Sequence, residues 1–260
     1  MIPKVIHLNW FGKNDLPPNY HRNLDRWILL VSGTDWSIKI WTDESRELDL
    51  LRKPLEDSGA KPVQVSNIMR YLILYLYGGF YVDFDVIPLR LPQFDAQDKF
   101  NIFTEVTWDT ATKDSTGKKK IAPNHAYMAA PPGDAYVRYG FWWLLQSTTF
   151  EPKTLEERYK GGIGMFKYMP KSWYDGVVLR GVNHFAPVNW AQARFFNICE
   201  HYTYDNWLEL AESFLPYPEV YGVHTFDSSW VFQLNDEMLA RRSKENEPDT
   251  SEGTEKSCGA

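Results

Sequence analysis

Cysteine is nearly absent from this chain of 260 residues: there are two, Cys199 and Cys258, far apart in sequence. That excludes a disulfide framework as the source of stability and suits a reducing compartment. Long apolar runs are missing as well. No stretch reaches the ~18 consecutive apolar residues that a membrane-spanning helix needs, and residues 1–6 show no basic segment leading into an apolar one. The expectation is a soluble, cytoplasmic protein with no transmembrane segment. Basic charge is in deficit, 28 Lys and Arg against 34 Asp and Glu, for a formal net charge of -6. A general basic surface for nucleic acid or an anionic membrane is therefore excluded, whereas a local basic pocket for a phosphorylated small molecule is not. Internal repeats are absent.

What the chain has in quantity is aromatic side chains, 16% of residues with 11 Trp. A large aromatic core accounts for such a content, and so does a site whose rings stack on a base or on the apolar faces of sugars. The remaining composition, 43% hydrophobic and 24% charged, is that of an ordinary globular protein. One domain is expected over residues 1–235, followed by a polar, disordered tail over 236–260.

The first third reads as strand, helix, strand, helix, helix, strand. Ile2-Pro3-Lys4-Val5-Ile6-His7-Leu8 is β-prone and runs through Asn9 and Trp10 to Gly12. A helix follows Pro17-Pro18 over about 19–30, and a strand with alternating character spans 36–41. Thr42 or Asp43 caps the next helix. This order predicts an α/β fold with a mostly parallel central sheet and flanking helices. Trp10, at the C-terminal end of the first strand, stands where open α/β sheets put ligand sites. Residues 86–91 are expected to finish the last of these strands; further strands are expected at 101–106, 124–130, 177–179 and 185–188, and an aromatic-rich helix over 135–146. Residues 109–120 read as a loop whose Lys118-Lys119-Lys120 is a solvated turn. Gly161-Gly162-Ile163-Gly164 reads as a turn or a wall of the site, since it lacks the Lys-Ser/Thr ending of a phosphate loop.

The stretch 66–88 organises the rest. Ser66 is read as the N-cap of a helix whose next eleven residues are almost wholly apolar, with Arg70 the one charge among them. A helix apolar all round is buried, so Arg70 must find a partner inside the fold. Gly78 and Gly79 supply the positive-φ residue that stops the helix, and Phe80-Tyr81-Val82 reads as a core strand. Asp83 and Asp85 then share one side of an extended chain. Two like charges so placed call for a cation, and a carboxylate pair at a strand end holds Mg²⁺ or Mn²⁺ while leaving positions for substrate phosphates. Arg70 adds positive charge to a diphosphate or pairs with an acid such as Asp83. An Asp-x-Asp triplet alone is weak, because about one arises by chance in a chain of this length; its setting gives it weight.

Two blocks carry a family resemblance. Ile2-Pro3-Lys4-Val5-Ile6-His7 with Trp10 and Gly12, then Ser66, Arg70, Leu74, Gly78-Gly79, Tyr81, Asp83 and Asp85, resemble the DXD-containing sugar transferases of the glycosyltransferase 32 type. That group includes yeast-type mannosyltransferases, capsular-polysaccharide and glycolipid transferases and, more distantly, the clostridial glucosylating toxins. The resemblance implies a GT-A type nucleotide-diphospho-sugar transferase fold and a metal-dependent, retaining transfer from a UDP- or GDP-linked sugar to a saccharide or glycolipid acceptor. It implies that Trp10 stacks on the base and that Tyr81 and Arg70 contact the diphosphate or sugar. Asp83 would lie near the ribose and the metal, and Asp85 would bind the metal most directly. The late stretch His224-Thr225-Phe226-Asp227-Ser228-Ser229-Trp230 would close over the diphosphate, with His224, Asp227 or Ser228 completing the metal shell (His224 favoured) and Ser229 and Trp230 on the donor. Asn67 stands where the family has Asp; it keeps an acceptor, gains a donor and loses the charge, which bears on the sugar selected.

Three other readings compete. Glu105 or Asp109 could act as the base of an inverting transfer. A haloacid-dehalogenase-like phosphatase would use Asp83 as nucleophile, although there the motif belongs on the first strand. A non-catalytic carbohydrate-binding relative would keep the fold without needing Asp83, Asp85, Arg70 and Trp10 intact.

Overall fold

The computed structural model describes residues 1–95, 99–106, 121–147, 177–181, 184–188, 193 and 203–226, all within the unit Met1–Phe226. The elements come in the expected order: β1 (Val5–Trp10), α1 (Pro18–Val31), β2 (Ser37–Thr42), α2 (Asp49–Asp57), α3 (Pro62–Tyr77), β3 (Gly79–Val82), β4 (Val86–Pro88), β5 (Phe100–Val106), β6 (Ile121–Ala130), α4 (Ala135–Ser147), β7 (Val177–Arg180), α5 (Tyr204–Glu212) and β8 (Gly222–His224). Six strands form one sheet in the order β2-β1-β3-β6-β5-β7. The pairs β1–β2, β1–β3 and β5–β7 are parallel, and β6 alone runs against its neighbours. The α/β architecture with a mostly parallel central sheet and flanking helices is thus as the order of elements predicts. Among the described residues no helix is long and apolar enough to cross a membrane.

Strand alternation divides the core. Ile6 and Leu8 of β1 and Phe80 and Val82 of β3 pack with Trp27 of α1, while Tyr81 faces the other way, into the cluster of α3 with Trp41. Among the described residues, the rings of Trp27, Trp41, Tyr71, Phe80, Tyr81, Phe100, Phe103, Tyr127 and Phe185 are fully buried. Part of the aromatic content is thus a core.

Four local expectations need correction. Neither Thr42 nor Asp43 caps the next helix: a short 3-10 turn over Arg46–Leu48, with Ser45 at its N-cap, comes first, and α2 starts at Asp49 behind Leu48. Ser66 is no N-cap: α3 starts a turn earlier, with Pro62 at its first position, where a missing N–H costs nothing and φ is already helical, and the Gln64 side chain accepts from the Lys61 N–H (2.9 Å). Residues 83–85 are a turn closed by Val86 N–H to Asp83 O (3.3 Å). The chain therefore leaves the main sheet after Val82, and β4 pairs instead with β8 in a two-stranded antiparallel ribbon. Residues 185–188 form a turn and bend rather than a strand; Phe185, Ala186 and Val188 are held by burial, and His184 O and Phe185 O accept from Tyr221 and His224 N–H. The expected loop over 109–120, the glycines 161–164, both cysteines and the tail lie outside the described residues.

The link from α3 to β3 requires glycine. Gly78 and Gly79 have φ of 63° and 97°. A Cβ on Gly79 would stand 2.7 Å from Val5 O and 2.9 Å from His7 Nε2, and one on Gly78 2.7 Å from the Pro132 nitrogen. His7 completes the clamp: its Nε2 lies 2.9 Å from Gly78 O and its Nδ1 accepts from Trp41 Nε1–H at 3.1 Å. A carbonyl only accepts and an indole N–H only donates, so the ring is neutral with its proton on Nε2. Burial holds its pKa down at about 4, against an ordinary 6.5.

Gly79→Ala is expected to lower unfolding free energy by about 2 kcal/mol or more, read from the urea midpoint. Gly133→Ala, at φ 75° with nothing within 4 Å of the new Cβ, bears only the left-handed strain of about 1 kcal/mol. Because the native state takes up the His7 proton less readily than the unfolded chain, this contribution is intact above pH 6.5 and is lost as pH falls toward 4. Going from pH 7 to pH 5 removes about 2 kcal/mol, and His7→Gln abolishes that part of the pH dependence in urea titrations at the two pH values.

Candidate functional site

The site forms where the C-terminal ends of β1 and β3 meet the N-terminal half of α3. Arg70 is the one charge on α3, and its side chain is only 4% exposed. Its Nη1 donates to Asp83 Oδ2 (3.2 Å) and to His125 O (2.9 Å), and its Nη2 to Ser66 Oγ (3.3 Å). Its guanidinium carbon sits 4.8 Å from the centre of the Tyr81 ring. The buried cation implied by the sequence thus has its anion, as well as neutral acceptors for its other donors.

Asp83 is held from both sides. The Tyr81 hydroxyl lies 2.6 Å from Asp83 Oδ1 and 3.0 Å from Asn9 Oδ1; with one proton it donates to one of them at a time. Ser66 Oγ donates to Asn9 Oδ1 (2.6 Å) and Asn9 Nδ2 to Ser66 O (3.2 Å). Arg70, Asp83, Tyr81, Asn9 and Ser66 therefore close a ring of polar contacts between β1, α3 and β3. Burial raises the Asp83 carboxyl above the usual carboxylate range and outweighs the opposing pull of Arg70; the neighbouring Asp85 charge raises it further. Burial likewise raises the Tyr81 phenol.

Asp85 is reached from the other end of the chain. The register of the small ribbon sets Val86 opposite His224. His224 Nε2 is thereby brought to 3.2 Å from Asp85 Oδ2, and Thr225 donates to Asp85 O through both its N–H and its Oγ1, each at 2.9 Å. Asp85 Oδ1 is buried with no hydrogen-bond partner among the described residues. An unsatisfied buried carboxylate oxygen beside a second acid and an imidazole suits a hard divalent cation with substrate oxygens filling its remaining positions. Among the described residues, however, no three His, Cys, Asp or Glu side chains already converge as a metal cage.

Trp10 is partly buried at the end of β1, its Nε1–H on Asn14 O (2.8 Å). Its ring meets Tyr20 and Phe84 edge-on at 5.7 and 6.2 Å, which ties it to the residue between the two aspartates. Asn67 is partly buried on α3 beside Ser66. Ser229 and Trp230, together with Asp227, Ser228 and Asp109, lie outside the described residues, as does the side chain of Glu105.

Asn9 and His125 belong to this site and were not found from the sequence. β6 carries a bulge here: Ile102 pairs with Met128 but Phe103 with Asn124, so residues 125–127 are looped away from β5. Asn124 Oδ1 accepts from Ala126 N–H (2.8 Å) and shapes the loop, which offers His125 O to Arg70 and Ala126 O to Asp83 N–H (2.8 Å). Bulges of this kind recur beside active sites. The His125 ring has a buried Nδ1 with no partner among the described residues. Burial, and then the charges of Arg70 and His224, push its pKa well below 6.5. The only sequence cue was a polar Asn-His pair opening an apolar strand.

Arg70→Met should cost about 3 kcal/mol at neutral pH, because Asp83 then loses its cation. Arg70→Met/Asp83→Asn should recover part of that loss, as measured by chemical denaturation.

Residues 21–103 match the family described as "Glycosyltransferase sugar-binding region containing DXD motif". Inositol phosphoceramide mannosyltransferase 3 of Schizosaccharomyces pombe is 34% identical over 95 residues, 33% of this chain and 24% of that protein. Mannosyl phosphorylinositol ceramide synthase CSH1 of Saccharomyces cerevisiae is 32% identical over 95 residues, 33% of this chain and 23% of that protein. The chain thus spans about a quarter of the length of these relatives. Among solved structures, PaToxG Glycosyltransferase is similar with a TM-score of 0.44 at 14% identity, covering 67% of this chain and 69% of that chain.

Proposed function

We propose that this chain, which carries over residues 21–103 a glycosyltransferase sugar-binding region with a DXD motif, transfers a hexosyl group from a UDP- or GDP-linked sugar to a saccharide or glycolipid acceptor. The carrying observation is the asymmetry of the two aspartates. Asp83 is neutralised inside the fold by Arg70, while Asp85 keeps a buried oxygen without a hydrogen-bond partner among the described residues. The site thus has one carboxylate made rigid and one left for a ligand. The catalytic domain on this reading is GT-A in type and covers residues 1–235, with 236–260 as a tail.

Asp85 and His224 are the residues that would hold Mn²⁺ or Mg²⁺ most directly, with Asp83 fixed beside them; the ion when bound supplies positive charge to the departing diphosphate. Arg70 adds a fixed cation beside the diphosphate, and Tyr81 orients Asp83 through its hydroxyl. Trp10 offers its ring to the base, and Asn67 and its neighbours on α3 face the sugar hydroxyls. Ser229 and Trp230, which lie outside the described residues, are assigned to the donor on the family resemblance alone. Transfer with retention needs no base on the chain, because the leaving phosphate oxygen takes the acceptor proton on the same face of the sugar. The names of the similar yeast proteins support testing a mannosyl donor and a glycolipid acceptor first. A phosphatase with Asp83 as nucleophile is disfavoured by the engagement of both Asp83 oxygens with Arg70 and Tyr81.

A donor screen by thermal shift with Mn²⁺, followed by turnover, tests the reading: one nucleotide-sugar should stabilise the protein in a metal-dependent way and be consumed. Asp85→Asn should lower that turnover at least about 100-fold with the urea midpoint little changed. Absence of any donor-dependent shift or turnover across UDP- and GDP-sugars would refute the proposal. NMR of the product anomer decides the stereochemistry, and an inverted anomer removes the retaining mechanism.

A further inference from the structure

Helix α1 buries one stripe, Tyr20, Asn23 and Trp27. Asn23 is the anomaly, an amide 2% exposed in a stripe of aromatic rings. A buried amide is costly unless both its ends are paired, and here both are. Asn23 Nδ2 donates to Phe84 O at 2.8 Å, and Asn23 Oδ1 accepts from the Tyr204 hydroxyl at 2.6 Å. The Phe84 carbonyl can only accept, which fixes which end of the amide faces it. Tyr204 opens α5 and is held in turn beneath Arg22, whose guanidinium carbon lies 4.0 Å from the ring centre.

Phe84 is the middle residue of the turn that carries both aspartates. The turn's own hydrogen bond is long, 3.3 Å from Val86 N to Asp83 O, so its conformation is set by outside contacts. Asp83 N–H is fixed by Ala126 O, and Asp85 O by Thr225. The peptide between them is fixed through Phe84 O, to which Asn23 is the donor. Rotation of that peptide would swing Asp85 while leaving Asp83, anchored by Arg70 and Tyr81, in place.

We propose that Asn23 is a positioning residue for the carboxylate turn. Its amide holds the Phe84 carbonyl and thereby aims Asp85, and Tyr204 keeps the amide in the orientation that does so. The inference rests on the transferase reading, because it assigns Asn23 a part in the affinity of that site for a divalent cation and a nucleoside diphosphate.

The test uses the full chain, with Mn²⁺ alone and Mn²⁺ with UDP or GDP titrated calorimetrically, beside urea denaturation. Asn23→Ser should weaken Mn²⁺ and Mn²⁺–nucleotide binding about tenfold. Tyr204→Phe, which removes one hydroxyl and keeps the ring, should weaken both in the same direction by less. The double variant should bind no worse than Asn23→Ser alone, since the tyrosine acts through the amide. Trp27→Phe, one turn along the same stripe, should lose stability with wild-type affinity, which separates positioning from general loosening of α1. Wild-type affinity in Asn23→Ser or, should that variant not fold, in Tyr204→Phe would overturn the inference while leaving the transferase reading intact. A wild-type chain that binds Mn²⁺ with neither nucleotide would overturn both.

Discussion

Taking the Arg70 guanidinium out of water leaves a permanent charge and five N–H donors that must be met inside the fold. The way they are met determines much of the architecture around them. The charge is met by Asp83, which brings the end of β3 against α3. One further donor reaches the bulge of β6 and another the Ser66 hydroxyl. Ser66 in turn engages Asn9, and Asn9 lies beside the Tyr81 hydroxyl. Removing any member leaves a buried polar group unpaired, so α3, β1, β3 and β6 are locked in one relative placement at this point. Elsewhere they are held mainly by apolar packing, which is less particular about register.

Beside this lock lies a turn that is weakly self-supporting. Its two carboxylates are treated differently: the first is bound into the polar ring, and the second stands on a peptide held by α1 on one side and by the β4–β8 ribbon on the other. A carboxylate already paired with a guanidinium is a poor nucleophile and a rigid wall; one with a spare buried oxygen is open to a ligand. The arrangement also couples distant parts of the chain to the site, since His224, Thr225 and Tyr204 all come from beyond residue 200.

Much of the site could be read in advance because its determinants are local. Residues 70, 78, 79, 81, 83 and 85 lie on one helix–turn–strand unit, where periodicity, the need for positive φ and the absence of a nearby counter-ion each have direct consequences in the sequence. Ser66 was assigned to the right helix and the wrong position, because Pro62 starts the helix and frees the serine for the polar ring. The alternation of residues 80–85 predicts an extended strand ending in the aspartates, whereas the chain turns there because its continuation pairs with β8 rather than with the main sheet. Asn9, Asn23 and His125 were not singled out. A single Asn or His says little by itself about its use, and the contacts that reveal these three join residues 57, 61 and 55 positions apart.

The sequence by itself determined the α/β order of elements, the burial of α3, the demand that Arg70 find an anion within the fold and the glycine pair at the entrance to β3. Each follows from backbone geometry or from the cost of burying charge, which operate over a few residues. Only the tertiary structure decided that the anion is Asp83, that Asp85 keeps a buried oxygen unpaired among the described residues, that His224 reaches it, and that the turn between them hangs on an amide from α1 and a tyrosine 181 positions further along. Those choices depend on which strand lies beside which, and hydrogen-bond partners are selected only once the apolar faces have packed.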